Sequence, residues 1–156
     1  MRLASVGLAL VLLLGTADPV MTEELPLSRE DPADPFSLGA VRWQHRVLVL
    51  SAKQQDHPAL REQLSAVEAS RAQFDDRDLL LVVLLEDAQS TAGGRPLTSS
   101  EAEQLRAEVG IPVTSFALRL VGKDVGVKLA RGKPMPMEEI YALIDTMPMR
   151  QSEMER

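Results

Sequence analysis

The stretch that most constrains this chain is DLLLVVLLE, residues 78–86. Leu79 to Leu85 run without any alternation of apolar and polar positions. A strand with one wet face alternates with period two, whereas a strand covered on both faces has no need to. The run therefore predicts a central strand of a parallel sheet with helices packed on both sides. RVLVLSA (46–52), rich in branched apolar residues, reads as another strand of that core.

Between these strands the sequence predicts a helix. Pro58 suits the first helical position, and His57 before it is pushed out of helical geometry, which makes His57 the expected N-cap. Leu60, Leu64 and Val67 follow at helical spacing and are expected inward, with Arg61, Glu62 and Glu68 outward. DAQSTAGGRPL (87–97) reads as a loop. A second helix follows, with a capping-box pattern at Thr98 and Glu101, an inner stripe of Ala102, Leu105 and Val109, and Gly110 at its end. Phe116 to Val121 read as a third strand, and GVKLA (126–130), after a turn, as a fourth. A last helix opens at Pro136, places Glu138 and Glu139 where the helix dipole favours acids, buries Ile140, Leu143, Ile144 and Met147, and is expected to stop at Pro148. The predicted fold class is α/β, in the order βαβαββα: a four-stranded mixed sheet flanked by helices. No internal repeat is visible.

The start of the chain has a different character. Arg2 precedes an unbroken run of apolar and small residues from Leu3 to Gly15. A charged start, a short apolar middle and small residues near a cleavage point form a secretory signal pattern, and Gly15 and Ala17 place the cut after residue 17. The alternative is an uncleaved anchor, but the run falls short of the ~20 apolar residues a spanning helix needs. Residues 18–40, with several prolines among acids and small residues, read as a flexible segment. The domain is expected over 41–150, with a tail at 151–156. This predicts a periplasmic or secreted protein with no membrane span once the signal is gone.

Export normally permits disulfides, yet the chain contains no cysteine. Thiol catalysis, thiolate metal sites and cysteine-linked haem are thereby excluded. With Arg2 removed, sixteen basic residues face twenty-three acidic ones, a net charge of −7. Such a surface repels nucleic acid and anionic membranes.

Three longer words, RWQHRVLVLSA, VGKDVGVKLA and EEIYALIDTMPMRQSEM, together resemble a bacterial family of unknown function, DUF4174. That family is similar to the P-DUDES domain of secreted vertebrate matrix and sushi-repeat proteins. The resemblance spans roughly residues 38–154. It implies a thioredoxin-like fold related to peroxiredoxins and no established activity; the vertebrate relatives suggest adhesion or matrix roles. The family usually carries two glycines after Lys-Asp, and here Val125 replaces the first. Since valine resists positive φ, Gly126 is expected to take the left-handed position.

In many thioredoxin-like proteins the junction of strand and helix at residues 52–58 carries redox cysteines. Here it carries Lys53, Gln54, Gln55, Asp56 and His57. Ligands of open α/β sheets gather at strand carboxyl ends, and helix N-termini attract anions, so this loop is the candidate binding site. Its expected partner is an unknown protein or a small anionic ligand, although Asp56 opposes an anion. No motif ties His57 to a nucleophile, so no catalytic residue is assigned. His45 and His57 with scattered acids give no metal-ligand spacing, and neither a metal nor a cofactor is expected. By analogy with thioredoxins, Pro112 is a candidate cis-proline facing the loop. Trp43 is read as packing on the sheet edge or marking an interface, and the methionines at 135, 137, 147, 149 and 154 as covering a core or forming an adaptable surface. The Gly-Gly-Arg of 93–95 lacks phosphate-loop spacing. The first functional reading is a redox-inactive binding or adaptor module. The alternatives are a thiol-independent enzyme using the 53–57 loop and a structural envelope or adhesion protein.

Overall fold

The computed structural model describes residues 34–112 and 115–156. The expected signal and most of the expected flexible segment lie outside the described residues. From Asp34 onward the chain is one compact unit. The elements are β1 (Arg46–Ala52), α1 (Pro58–Ala69), α2 (Arg71–Asp76), β2 (Leu79–Leu85), β3 (Thr91–Ala92), β4 (Arg95–Pro96), α3 (Ser99–Val109), β5 (Ala117–Val121), β6 (Val127–Arg131), α4 (Met137–Asp145) and α5 (Pro148–Met154).

The sheet order is β4-β3-β2-β1-β5-β6. β1 and β2 run parallel, with Arg46 opposite Leu79 and Ala52 opposite Leu85, and the other pairings are antiparallel. β1 is buried along its whole length and feeds two cores. Leu48, Leu50 and Ala52 join Leu60, Val67, Phe74, Ile140 and Ile144 on the face covered by α1, α2 and α4. Val47 and Val49 join Leu84, Ala102, Leu105 and Val109 on the face covered by α3. The unbroken apolar strands are thus explained by helices on both sides, and the α/β expectation holds.

The sheet has six strands where four were expected. β3 and β4 form a small hairpin inside the stretch read as a loop. Its two-residue turn uses Gly93 and Gly94 at φ 56 and 84, values that suit glycine in tight hairpin turns. Gly93 also lies so close to Leu80 that a Cβ would meet its side chain at 2.7 Å. Two-residue strands leave no periodic signal in a sequence.

Three boundaries also move. Leu38 is buried and Phe36 packs on the second core, so residues 34–40 are part of the domain. α2 forms a separate short helix after Ser70. Pro148 follows the end of α4 and serves as the first residue of α5, so residues 151–154, expected as part of a tail, are helical. α5 is tied down by charge. The Arg150 guanidinium binds the Asp76 and Asp145 carboxylates, and Glu153 binds Arg46 at 3.2 Å and Lys123 at 2.7 Å.

The capping box forms as expected. The Glu101 N–H donates to Thr98 Oγ1 at 3.2 Å, the Thr98 N–H donates to the Glu101 carboxylate at 2.7 Å, and Gly110 ends α3 in the left-handed region. The β5–β6 turn corrects the expectation for Gly126. Val125 itself takes φ 64, and Gly126 does not lie at positive φ. The Val125 N–H donates to Gly122 O at 2.9 Å, and the half-buried side chain packs on the second core. A left-handed non-glycine residue costs about 1–2 kcal/mol, and partial burial of valine offsets a similar amount.

Candidate functional site

The candidate loop sits at the carboxyl end of β1. Two short contacts shape it. The Lys53 carbonyl accepts the N–H groups of Glu86 at 3.2 Å and Asp87 at 3.1 Å, which locks the loop to the end of β2. The His57 N–H donates to Gln54 O at 3.2 Å and closes a turn. α1 then starts with Pro58, and the Arg61 N–H donates to His57 O at 3.0 Å.

Lys53, Gln54, Gln55 and Asp56 are exposed. Among the described residues, their side chains make no hydrogen bond and no ion pair. Their backbone thus serves the fold while their side chains stay free. The local charge is acidic, because the loop and the β2 end bonded to it through the backbone carry three acids, Asp56, Glu86 and Asp87, and one base, Lys53. That balance opposes a small anionic ligand and suits a partner with a basic surface.

His57 occupies the N-cap position but its side chain makes no capping hydrogen bond. The ring lies 6.2 Å from the Phe116 ring, nearly parallel at 21°. Its Nδ1 is buried and has no hydrogen-bond partner among the described residues. The side chain therefore packs rather than caps: it joins α1 to the segment entering β5. Pro112 also departs from expectation. No peptide bond among the described residues is cis, and the Ile111–Pro112 bond is trans. Pro112 is exposed, and Phe116 is the residue of this segment that meets the loop. Val113 and Thr114 lie outside the described residues.

Two cavities escaped the sequence reading. One, of about 730 Å³, opens from Glu86 between the end of β2 and the start of α3, lined among others by Gln89, Ser90, Thr98, Glu103 and Arg106. Arg106 donates to Leu85 O at 2.8 Å, while its buried Nε has no partner among the described residues. The only hint in the sequence was the Gly-Gly pair, which folds the 87–97 segment into the cavity's wall. The second, of about 550 Å³, lies at the opposite end of β1 between Trp43, Lys123, Lys128, Met147 and Met149. Trp43 is 55% exposed at φ 68, with the Arg42 guanidinium 4.6 Å from its ring centre. It does not pack into the core. The methionines divide: Met137 is buried, whereas Met149 and Met154 are exposed.

Among the described residues, no three His, Asp or Glu side chains are gathered as a metal ion would need. No helix among them is long and apolar enough to cross a membrane.

A family model described as a domain of unknown function (DUF4174) matches residues 37–153. A curated relative, "Coiled-coil domain-containing protein 80" of Danio rerio, is 28% identical over 133 residues, which cover 75% of this chain. The chain spans only 15% of that relative's length. Among solved structures, a reduced 2-Cys peroxiredoxin of Plasmodium vivax aligns with a TM-score of 0.54 at 13% identity, covering 74% of this chain and 84% of that one. Thioredoxin peroxidase I of Plasmodium yoelii aligns with a TM-score of 0.54 at 14% identity, covering 75% and 80%. A yeast mitochondrial 1-Cys peroxiredoxin gives 0.51 at 13%, covering 74% and 69%. At such identities the likeness is one of fold, and the fold is thioredoxin-like.

Proposed function

The chain belongs to the DUF4174 family, and from that premise we propose that it is an exported, redox-inactive binding module that recognises a protein partner through the loop Lys53–His57. The observation that carries the reading is the loop itself. Four polar side chains stand exposed at a strand carboxyl end, joined to the fold only through their backbone. Open α/β sheets bind at such ends. The absence of cysteine supports a role without redox chemistry, since thiol exchange and thiol peroxidation both need a thiolate. Three acids to one base in the loop and the β2 end bonded to it favour a basic protein surface over a small anion. The leader pattern of residues 1–17 supports export to a periplasmic or extracellular space. Intact mass of the purified protein tests the export, with loss of residues 1–17 expected.

Affinity capture from the protein's own envelope fraction, run beside a Lys53→Ala/Gln54→Ala variant, tests the binding role. Surface changes that touch no other group stay within about 0.5 kcal/mol in stability. The variant should fold as the wild type and capture less. Capture at wild-type strength by the folded variant would remove the loop from the binding surface.

A further inference from the structure

The two edges of the sheet are treated differently. At one end β4 is two residues long and ends in a proline, Pro96, which blunts it. At the other end β6 presents five residues, Val127–Arg131, without a proline and, among the described residues, with no strand beyond it. Four of the five are exposed, and only Leu129 is buried. An uncovered strand of this length offers a row of unpaired backbone groups.

The charge around this edge runs against that of the chain. From Val109 to Met137 the sequence has five basic residues and one acid, Asp124, within a chain of net charge −6. Lys123 is neutralised by Asp78 and Glu153, and Lys128 by Asp124. Arg119, Arg131 and Lys133 have no carboxylate partner among the described residues. In the β5–β6 register Arg119 lies opposite Ala130 and Arg131 opposite Leu118, so the two side chains leave opposite faces of the sheet, and the Arg119 guanidinium is taken up by Val109 O, Leu118 O and Gly110 O. Arg131 and Lys133 are thus exposed, unneutralised cations at this edge and just beyond it.

We propose that the β6 edge takes up an extended acidic segment of a partner protein, which adds as a seventh strand. Backbone pairing supplies the affinity of such additions, and side chains beside the strand select the sequence. Aspartates or glutamates in the added strand would face Arg131 and Lys133. A second copy of this chain is a poor occupant, because β6 against β6 would set these cations against one another. This surface is separate from the 53–57 loop, and neither proposal depends on the other.

The probe is a synthetic, end-capped eight-residue peptide of alternating valine and glutamate, titrated by fluorescence anisotropy against the full chain at physiological salt. Two controls accompany it: a valine–lysine peptide, and the valine–glutamate peptide N-methylated at every residue. Saturable binding of the glutamate peptide is expected, at least tenfold weaker for either control, with amide exchange slowed at residues 127–131. An Arg131→Glu/Lys133→Glu variant, exposed at both positions, should switch preference to the lysine peptide. No binding of the glutamate peptide overturns the proposal. So does equal binding of the N-methylated form, which would mean charge attraction without strand pairing. Protection of residues 127–131 by self-association without peptide overturns it too.

Discussion

Gln63 lies on α1, is fully buried, and holds the connection between β6 and α4 by both ends of its amide. Its Oε1 accepts the Met135 N–H at 2.8 Å, and its Nε2 donates to Met135 O at 3.0 Å. Nε2 also lies 3.2 Å from Met137 Sδ. Gln63→Met keeps the length of the side chain and removes both polar ends together. What remains is one N–H and one C=O of Met135 without partners. Each buried unsatisfied group costs about 1–3 kcal/mol. The added apolar burial of methionine returns about 1 kcal/mol. An opening of about 120 Å³, lined by Gln63, Met135 and Pro136, gives water some access and lowers the loss further. The expected destabilisation is about 2 kcal/mol. With a urea dependence of about 1–3 kcal/mol per molar, the unfolding midpoint should fall by roughly 1 M with its slope unchanged. A Gln63→Met protein within 0.5 kcal/mol of wild type would refute the reasoning, because the 132–136 connection would then hold without the amide.

Glu101 gives a pH-dependent counterpart. Backbone hydrogen bonds from Thr98 and Phe36, with Arg95 nearby, hold its carboxyl at about 2 against an ordinary 4.5. A depressed carboxyl contributes stability above its unfolded value and loses it as pH falls. Glu101→Gln should therefore be less stable than wild type at pH 7, and in denaturant titrations the gap should close between pH 4.5 and about 2; a gap independent of pH would count against the assignment. At the other end of the domain, burial alone would raise the Glu153 carboxyl, but the hydrogen bonds from Lys123 and Arg46 hold it below its usual range. Glu153→Gln leaves the buried Arg46 without its anion while Asp78 still faces Lys123, so a loss of about 3 kcal/mol is expected by thermal or urea unfolding. A loss below about 1 kcal/mol would mean that the cluster is solvated.

The parts of the fold written as repeated patterns were legible. The long apolar runs named β1 and β2, and helical spacing named α1, α3 and α4. The Thr98–Glu101 pair and Gly110 marked α3 because capping is a local, short-range chemistry. What escaped depends on partners far away in sequence. α5 carries no apolar stripe of its own; it is held by Arg150 to Asp76, 74 residues away, and by Glu153 to Arg46, 107 residues away. β3 and β4 are too short for a period. His57 was rightly placed at the start of α1, but its ring turns to Phe116, a contact no window of sequence contains. Val125 shows the same limit in reverse: its left-handed φ goes against local preference and is tolerated because a non-local core receives its side chain. The position of the loop 53–57 at the end of β1 followed from the predicted order of elements, while its acidic setting needed Glu86 and Asp87 brought beside it.

The pairing of Arg46 with Glu153 also orders events in time. A chain made or threaded across a membrane from its N-terminus presents β1 long before residue 153 arrives. Until then Arg46, almost wholly enclosed in the finished domain, lacks its carboxylate, and Lys123 has Asp78 alone. Burying Arg46 unpaired is costly, so closure of that end of the sheet waits for the last helix. Such a polypeptide stays open while it is being extended, and locks when its final turn reaches the cation left waiting at the start of β1.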